Sequence, residues 1–169
     1  WLKVLVEAAR KRGLKTGVEL SHTVLDAERA KQDFADCVQQ DIHGQRQIVW
    51  GRGYPICLNS PDAREYVLGL FSDLTANYDV DYVQTCTLPF MPGGAAKGGC
   101  FCDSCVRAAK DTGLDLEKIK AALKENSKSQ PSIEQWQAFR QASVARYYKM
   151  MHDGIHAIRP RVDLRFNDC

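Results

Sequence analysis

Residues 60–87, SPDAREYVLGLFSDLTANYDVDYVQTCT, form one helix-to-strand unit and decide the fold class. Ser60, Pro61 and Asp62 are typical of a helix start, because they supply a side-chain cap, a preset backbone angle and an acidic group in the first turn. Apolar side chains then recur at spacings of three and four, which predicts a helix with one buried face: Ala63, Tyr66, Val67, Leu70, Phe71, Leu74 and Tyr78. The β-branched and aromatic content of residues 79–87 predicts that a strand follows directly.

The alternation of helix and strand continues in both directions from this unit. The predicted helices cover residues 2–12, 60–78, 103–111, 115–124 and 132–158, and the predicted strands cover residues 15–21, 79–87 and 162–168. Strands that alternate with helices, without hairpin turn signals, indicate βαβ units and a parallel sheet. The predicted fold class is therefore α/β.

Two long connections, residues 22–59 and 88–105, follow the first two predicted strands. Glycine and proline are frequent in both, and neither shows sustained helical periodicity. In parallel α/β sheets the loops at the carboxyl ends of the strands build the site, so we expect functional residues in these two segments.

The composition excludes several classes of protein. Lys plus Arg number 23 against 21 Asp plus Glu, and a net charge of +2 is too small for the positive field that binding to a nucleic-acid backbone needs. No apolar run approaches the roughly 18 to 20 residues that span a bilayer, and the N-terminus has no signal-peptide pattern. The chain starts at Trp1 within a helix-like pattern and stops at Cys169 after a strand-like one, so we interpret it as a fragment and leave its compartment open.

Four of the seven cysteines suggest a metal site. Cys57 precedes a helix start, and CFCDSC places Cys100, Cys102 and Cys105 in a C-x-C-x-x-C cluster. Four thiolates on one ion would form a closed, structural zinc site, because a C-x-x-C turn brings two sulfurs to the same ion. Disulfides, free thiols and an iron–sulfur cluster are the alternatives. The other cysteines have no local pattern and are predicted to be simple buried thiols: Cys37, Cys86 and Cys169.

Four features together resemble the family 42 glycoside hydrolases (β-galactosidases): the run CLNSPDAREYV from Cys57, the helix after it, Tyr78 before a strand, and the C-x-C-x-x-C cluster. The resemblance covers about residues 45–110 and extends to related glycosidase-like barrels. It implies that residues 1–169 are part of one catalytic-type (β/α)₈ TIM barrel domain, truncated at both ends, with about three parallel strands. It also implies a structural Zn²⁺ on the four cysteines, which staples loops 22–59 and 88–105, and a carbohydrate-active hydrolase that cleaves O-glycosidic bonds.

The sequence departs from that family at one position that matters for catalysis. In those β-galactosidases the strand between the two halves of the zinc site ends in Asn-Glu, and the Glu is the general acid/base. Here residues 82–87 read YVQTCT and contain no carboxylate. A non-catalytic carbohydrate-binding barrel is therefore the alternative to an enzyme, and a zinc-ribbon-type interaction module is a third, less favoured, interpretation.

Glu19 and Asp168 are the candidate catalytic carboxylates, because each lies at or near the end of a predicted strand. Glycosidases place two carboxyl groups about 5 to 5.5 Å apart when retaining and about 6.5 to 9.5 Å apart when inverting. A core or salt-bridged role for Glu19 is the simpler alternative.

Five residues are candidates for binding the carbohydrate substrate: His22, Trp50, Tyr54, Phe90 and Asn167. The aromatic rings could stack on sugar rings, with loop anchoring as the alternative, and His22 could equally have a structural partner. We expect no nucleic-acid or membrane partner, and the sequence leaves the oligomeric state open, a homo-oligomer included. His152 and His156, four residues apart, would suit a metal but have no Glu beside them, so surface positions are the simpler interpretation.

Overall fold

The computed structural model describes residues 1–46, 48–49, 51, 53–87, 90, 98–125 and 130–168, with the backbone alone at residues 86, 87, 130–132, 167 and 168. Its helices are α1 (Leu2–Arg10), α2 (Ala27–Gln32), α3 (Pro61–Asn77), α4 (Asp103–Lys110), α5 (Leu116–Lys124) and α6 (Gln130–Ile158). Its strands are β1 (Gly17–Leu20), β2 (Val24–Asp26), β3 (Gly53–Pro55), β4 (Tyr82–Thr87) and β5 (Asp163–Asp168).

Three strands form a parallel sheet in the order β1-β4-β5. The register aligns Val18 with Val83 and Val83 with Leu164 across the three strands. The three parallel strands predicted from the sequence are thus confirmed, as is the α/β fold class. A parallel sheet of this kind needs helical crossovers between its strands, and α3 and α6 lead into β4 and β5.

The two faces of this sheet differ in chemistry. On one face Val83 is fully buried, and the ring of Phe166 packs edge-on against Tyr148 of α6, with ring centroids 4.2 Å apart. The other face carries polar side chains, and the register places Glu19, Gln84 and Arg165 in one row across the three strands. Strand alternation therefore separates an apolar face from a polar one.

The chain forms two compact units. The first contains Trp1–His22, Glu65–Thr87 and Tyr148–Cys169 and includes the parallel sheet. The second contains Thr23–Arg64 and Leu88–Tyr147, with a core built around fully buried Ile56, Leu58 and Trp136. None of the helices in the described part of the chain is long and apolar enough to cross a membrane.

Residues 22–59 contain more regular structure than the sequence predicts. Strands β2 and β3 pair antiparallel, with Leu25 opposite Tyr54, and α2 follows β2 directly. Three-residue strands are too short to show an alternating pattern, and β2 and β3 are joined by a long segment without a tight-turn signal. Helix α6 begins at Gln130, two residues before the predicted cap at Ser132, which is within the usual uncertainty of helix ends.

Candidate metal centre and polar sheet face

Four buried thiols converge on one point in the second unit. The Sγ atoms of Cys57, Cys100, Cys102 and Cys105 all lie within 4.8 Å of one another, and none of these residues is more than 2% exposed. Zinc–thiolate bonds of about 2.3 Å in a tetrahedron separate the sulfurs by about 3.8 Å. The spacing therefore suits a single metal ion, and the predicted convergence of the four cysteines is confirmed.

The alternative of disulfide bonds does not match the sulfur distances. The Cys57 Sγ lies 3.5 Å from the Cys105 Sγ and 3.4 Å from the Cys102 Sγ, whereas a disulfide needs about 2.05 Å. All five cysteines whose side chains are described are free, including Cys37, which is buried as predicted. The cluster is thus a set of thiols available to a metal.

Short backbone connections bring the two halves of the cluster together. Cys57 lies just after β3, and its N–H donates to the Cys37 carbonyl oxygen at 2.6 Å. Cys102 is the N-cap of α4, which places Cys105 in the first turn of that helix. The Phe101 N–H donates to the Gln40 carbonyl oxygen at 2.8 Å, so the segment carrying the C-x-x-C turn is attached directly to residues 22–59.

The thiols of the cluster perturb one another's pKa values. Hydrogen bonds with Cys100, Cys105 and Cys57 hold the pKa of Cys102 far below its usual range. The pKa of Cys57 is raised well above its usual range, first by its hydrogen bonds with Cys100, Cys102 and Cys105 and then by burial. One thiolate is therefore stabilised by its neighbours, whereas four thiolates together need a positive charge such as a divalent metal ion.

Asn59 links the cluster to helix α6. Its Nδ2 donates to the Cys105 Sγ at 3.4 Å and to the Ser143 Oγ at 3.1 Å, and its backbone N–H donates to the Cys57 Sγ at 3.4 Å. Ser143 in turn donates to the Phe139 carbonyl oxygen at 2.8 Å. Asn59 therefore supports two of the four sulfurs with hydrogen bonds that favour their thiolate form.

Two arginines approach the same asparagine. Arg64 donates to Asn59 Oδ1 at 3.2 Å and to the Leu58 carbonyl oxygen at 2.7 Å, and Arg146 donates to Asn59 Oδ1 at 3.5 Å. Burial and the nearby Arg146 lower the pKa of Arg64, while the charges of Cys57 and Cys105 oppose that change. Both guanidinium groups thus add positive charge next to a site that would hold four negative sulfurs.

An aromatic stack packs beside the C-x-C-x-x-C segment. Trp136 lies between Phe101 and Phe139, with ring centroids 4.5 and 5.8 Å away. Gly99 has a φ of 137°, and a Cβ atom built there would collide with the Trp136 ring. Only glycine allows both this backbone angle and this close approach of the indole.

The polar sheet face of the first unit holds the candidate carboxylate Glu19. Its Oε2 accepts a hydrogen bond of 3.0 Å from Gln84 Nε2, which lies opposite it on β4. Arg165, next in the row, has its guanidinium carbon 3.9 Å from the centre of the Tyr82 ring. Glu19 is therefore held by a neutral amide on a face that also carries a cation.

His22 is placed in a structural environment. It is 3% exposed, its Nδ1 lies 3.1 Å from the Leu20 carbonyl oxygen, and its ring meets Phe71 edge-on at 5.0 Å. Burial lowers its pKa, which the Leu20 hydrogen bond partly offsets. These contacts favour the structural role that the sequence left open for this histidine.

The structure separates the remaining substrate-binding candidates by environment. Tyr54 is half-buried in β3, and Phe90 is 6% exposed with the Arg140 guanidinium 5.0 Å from its ring centre. Phe90 and Arg140 border a cavity of about 410 Å³ together with Gln137, Gln141, Val144 and Ala145. One face of the Phe90 ring is thus already covered by a cation.

Three candidates lie partly or wholly outside the described residues. Trp50 is not described, and for Asn167 and Asp168 only the backbone is. That backbone belongs to β5, with Asn167 opposite Cys86 and Asp168 opposite Thr87. The register puts Glu19 and Asp168 two strands and three residues apart, or roughly 14 Å between Cα atoms at ordinary strand spacings.

Sequence reasoning missed the polar groups around the cysteines. One signal was available, because Ser143 interrupts the apolar stripe of α6 and a buried hydroxyl at such a position needs a partner. Asn59 and Arg146 gave no comparable signal, since they are 87 residues apart and meet only in the folded chain.

The sequence matches no family model, and no curated protein matches it either. Among solved structures, α-L-fucosidase isoenzyme 2 from Paenibacillus thiaminolyticus is similar at a TM-score of 0.69 and 20% identity, over 98% of this chain and 22% of that one. The β-galactosidase of the psychrophilic Marinomonas ef1 has a TM-score of 0.69 and 14% identity, over 99% of this chain and 29% of that one. The β-galactosidase of the haloarchaeon Halorubrum lacusprofundi has a TM-score of 0.69 and 18% identity, over 99% of this chain and 28% of that one.

These similarities define the class of fold. The chain has the fold of a segment of glycosidases, with α/β architecture and a parallel three-stranded sheet. It spans less than a third of the length of each of these three proteins. The fold class expected from the resemblance is thus confirmed at the level of a glycosidase-like fold.

Proposed function

We propose that this chain is part of a carbohydrate-active hydrolase that acts on O-glycosidic bonds, built as a partial (β/α)₈ barrel. The observation that carries the proposal is the match of almost the entire chain to segments of three glycosidases at a TM-score of 0.69. A fold hosts many functions, so the reaction is argued from two features of the chain: the thiol cluster and the carboxylate on the polar sheet face.

The thiol cluster is proposed to hold a structural Zn²⁺, as in family 42 β-galactosidases. Four sulfur donors suit a soft or borderline metal, and a shell filled by protein ligands leaves no open position for a substrate. Zinc bound by Cys57, Cys100, Cys102 and Cys105 would fix the loops 22–59 and 88–105 to each other. Its role would be to support the site, not to react.

The metal can be tested by elemental analysis of the protein purified under reducing conditions. We expect close to one zinc per chain in the wild type and strong loss in Cys102→Ser. Cys37→Ser is the matched control, because Cys37 is also buried but lies outside the group of four. Iron in place of zinc, or equal metal content in wild type and Cys102→Ser, would contradict the assignment.

The catalytic step is proposed to use Glu19 or Asp168 with a second carboxylate from elsewhere in the parent protein. The strand β4 offers Gln84, Thr85 and Cys86, and none of these supplies the carboxylic proton that a glycosidic leaving group needs. The acid/base must therefore differ in position from that of the β-galactosidases it resembles. Substrate contacts are proposed for His22, Trp50, Tyr54, Phe90 and Asn167. Of these His22 has the least support, because its buried ring packs against Phe71.

The activity test is a panel of aryl glycosides with the parent protein. Removal of a general acid or base lowers kcat by about 10² or more, so we expect that loss in Glu19→Gln or in Asp168→Asn. Glu65→Gln is the control, because Glu65 is an exposed carboxylate on α3. Full activity in both site variants would refute the residue assignment.

A carbohydrate-binding barrel without catalysis is the second candidate, favoured by the amide at Gln84 next to Glu19. It predicts sugar binding in the same protein with no turnover on any glycoside. Calorimetry with oligosaccharides separates the two, since an enzyme inactivated by Glu19→Gln would still bind what its wild type hydrolyses.

A further inference from the structure

The last turns of α6 carry two imidazole rings in direct contact. His152 and His156 are four residues apart, which places them on the same side of the helix. Their ring centroids are 3.9 Å apart, with an angle of 65° between the ring planes. Two histidines at this spacing on a helix are a known way of presenting two nitrogen ligands to one ion.

One nitrogen of each ring already has a partner. Nε2 of His156 lies 3.0 Å from the Val162 carbonyl oxygen, and Nδ1 of His152 lies 3.3 Å from Oδ1 of Asp153. Both partners are oxygens that only accept, so both of these nitrogens carry the proton of the neutral ring. The lone pairs are consequently on Nε2 of His152 and Nδ1 of His156.

This pattern is the one found around histidines that bind metals. Metal-binding imidazoles usually donate their other N–H to a carboxylate or a backbone carbonyl, which fixes the tautomer and the ring orientation. Here Asp153 supplies the carboxylate and Val162 the carbonyl. Asp153 is itself held by Lys149, whose Nζ lies 2.6 Å from Oδ2. Two metal–nitrogen bonds of about 2.1 Å can join ligand atoms up to about 4 Å apart, and the 3.9 Å between the two ring centroids is of that order.

We propose that His152 and His156 form a second metal site, which takes a divalent late transition-metal ion such as Ni²⁺, Zn²⁺ or Cu²⁺. Imidazole is a preferred ligand of these ions. The side chain of His152 is 52% exposed, so water can fill the remaining coordination positions. The site is separate in sequence and chemistry from the cysteine cluster and does not depend on the proposed glycosidase activity.

The test uses tag-free parent protein that is first loaded with one equivalent of Zn²⁺ per chain and then desalted against a weak chelator, so that the four thiols are occupied and the imidazoles are free to take added Ni²⁺. Titration calorimetry should show one Ni²⁺ per chain, and paramagnetic broadening in NMR spectra should affect the His152 and His156 ring signals first. Loss of an outer hydrogen-bond partner of a metal ligand weakens binding by about 10- to 100-fold. His152→Ala and His156→Ala each remove a ligand itself, so each should weaken Ni²⁺ binding by more than that. Asp153→Ala removes only such a partner and should weaken Ni²⁺ binding by about 10- to 100-fold.

His43→Ala is the matched control. His43 is exposed, and the hydrogen bond recorded for it uses its backbone N–H, so its ring can be removed without loss of that contact. It should leave Ni²⁺ binding unchanged. The proposal is overturned if the wild type binds no Ni²⁺ under these conditions, if either His152→Ala or His156→Ala binds like the wild type, or if His43→Ala loses binding to the same extent. Unchanged affinity in Asp153→Ala would refute the orienting role of that carboxylate.

Discussion

Substitution of Asn59 tests whether the polar groups around the cysteine cluster set its affinity for metal. Asn59→Leu keeps the approximate volume but removes the donor to the Cys105 Sγ and the acceptor shared by Arg64 and Arg146. Loss of one outer hydrogen-bond partner of a metal ligand lowers affinity by about 10- to 100-fold. We therefore expect Asn59→Leu to lose its metal at a chelator concentration about 10- to 100-fold lower than the wild type does. A chromophoric zinc indicator measures the released metal.

The same substitution should reduce stability. Arg64 keeps its bond to the Leu58 carbonyl oxygen and Ser143 keeps its bond to Phe139, so Arg146 loses the most. Arg146 is exposed and can bond to water instead, so the expected drop in the free energy of unfolding is about 0.5 to 1.5 kcal/mol, the net value of an ordinary hydrogen bond.

Two further variants make this prediction sharper. Asn59→Asp keeps the acceptor for the arginines but replaces the donor to Cys105 with a negative charge, so metal affinity should fall while stability falls less. Asn77→Ala removes an exposed amide on α3 and should change neither quantity. If Asn59→Leu retains metal as well as the wild type while Cys102→Ser loses it, the asparagine has no role in the centre.

Two other predictions concern stability alone. Asp81 accepts a 2.8 Å hydrogen bond from the Thr16 N–H, which is the main cause of its lowered pKa. A carboxyl with a lowered pKa in the folded state contributes stability above its unfolded pKa of about 3.9 and loses it as the pH falls. Urea titrations should therefore show Asp81→Asn less stable than the wild type by about 1 kcal/mol at pH 7, since the carboxyl is half-buried but still in contact with solvent, and the difference should shrink below about pH 4. Gly99→Ala should lower the free energy of unfolding by about 1 to 3 kcal/mol, because of the φ of Gly99 and the closeness of the Trp136 ring. Gly69→Ala has no atom within 4 Å of its new Cβ and should raise the free energy of unfolding by about 0.5 to 1 kcal/mol. Equal effects of the two substitutions would refute the packing argument.

The parallel sheet could be predicted because its signals are local. The cap at Ser60, the apolar spacing along α3 and the β-branched run of β4 each arise from neighbours in the sequence, and tertiary packing reinforces the same pattern. The antiparallel pair of β2 and β3 could not be predicted, because three residues carry no periodicity and the partner strand is far along the chain.

The candidate metal centre likewise has parts that the sequence predicts and parts that it does not. The spacing of Cys100, Cys102 and Cys105 is a local signal, and Cys57 could be added through its place before the helix start. The hydrogen bonds of Asn59 to Ser143 and Arg146 join parts of the chain that are more than 80 residues apart, so only the folded structure reveals them. Candidate metal ligands are thus visible in a sequence, while the polar groups that surround them are mostly not.

Under the proposed function, the row of Glu19, Gln84 and Arg165 would limit how this chain takes part in glycoside hydrolysis. A two-carboxylate mechanism needs its carboxyl groups within about 10 Å, and about 5 to 5.5 Å for retention. The neighbour of Glu19 on β4 is an amide, and the backbone of Asp168 is roughly 14 Å from that of Glu19 at ordinary strand spacings. This backbone separation is far longer than the carboxyl spacing of a retaining pair, which favours for each residue a partner carboxylate from another strand of the parent protein. The amide of Gln84, already bonded to Glu19, would then orient that carboxylate toward its partner. If Glu19 is the residue that reacts, Gln84→Ala should lower kcat more than it raises KM. If Asp168 is the residue that reacts, Gln84→Ala should leave both kcat and KM unchanged.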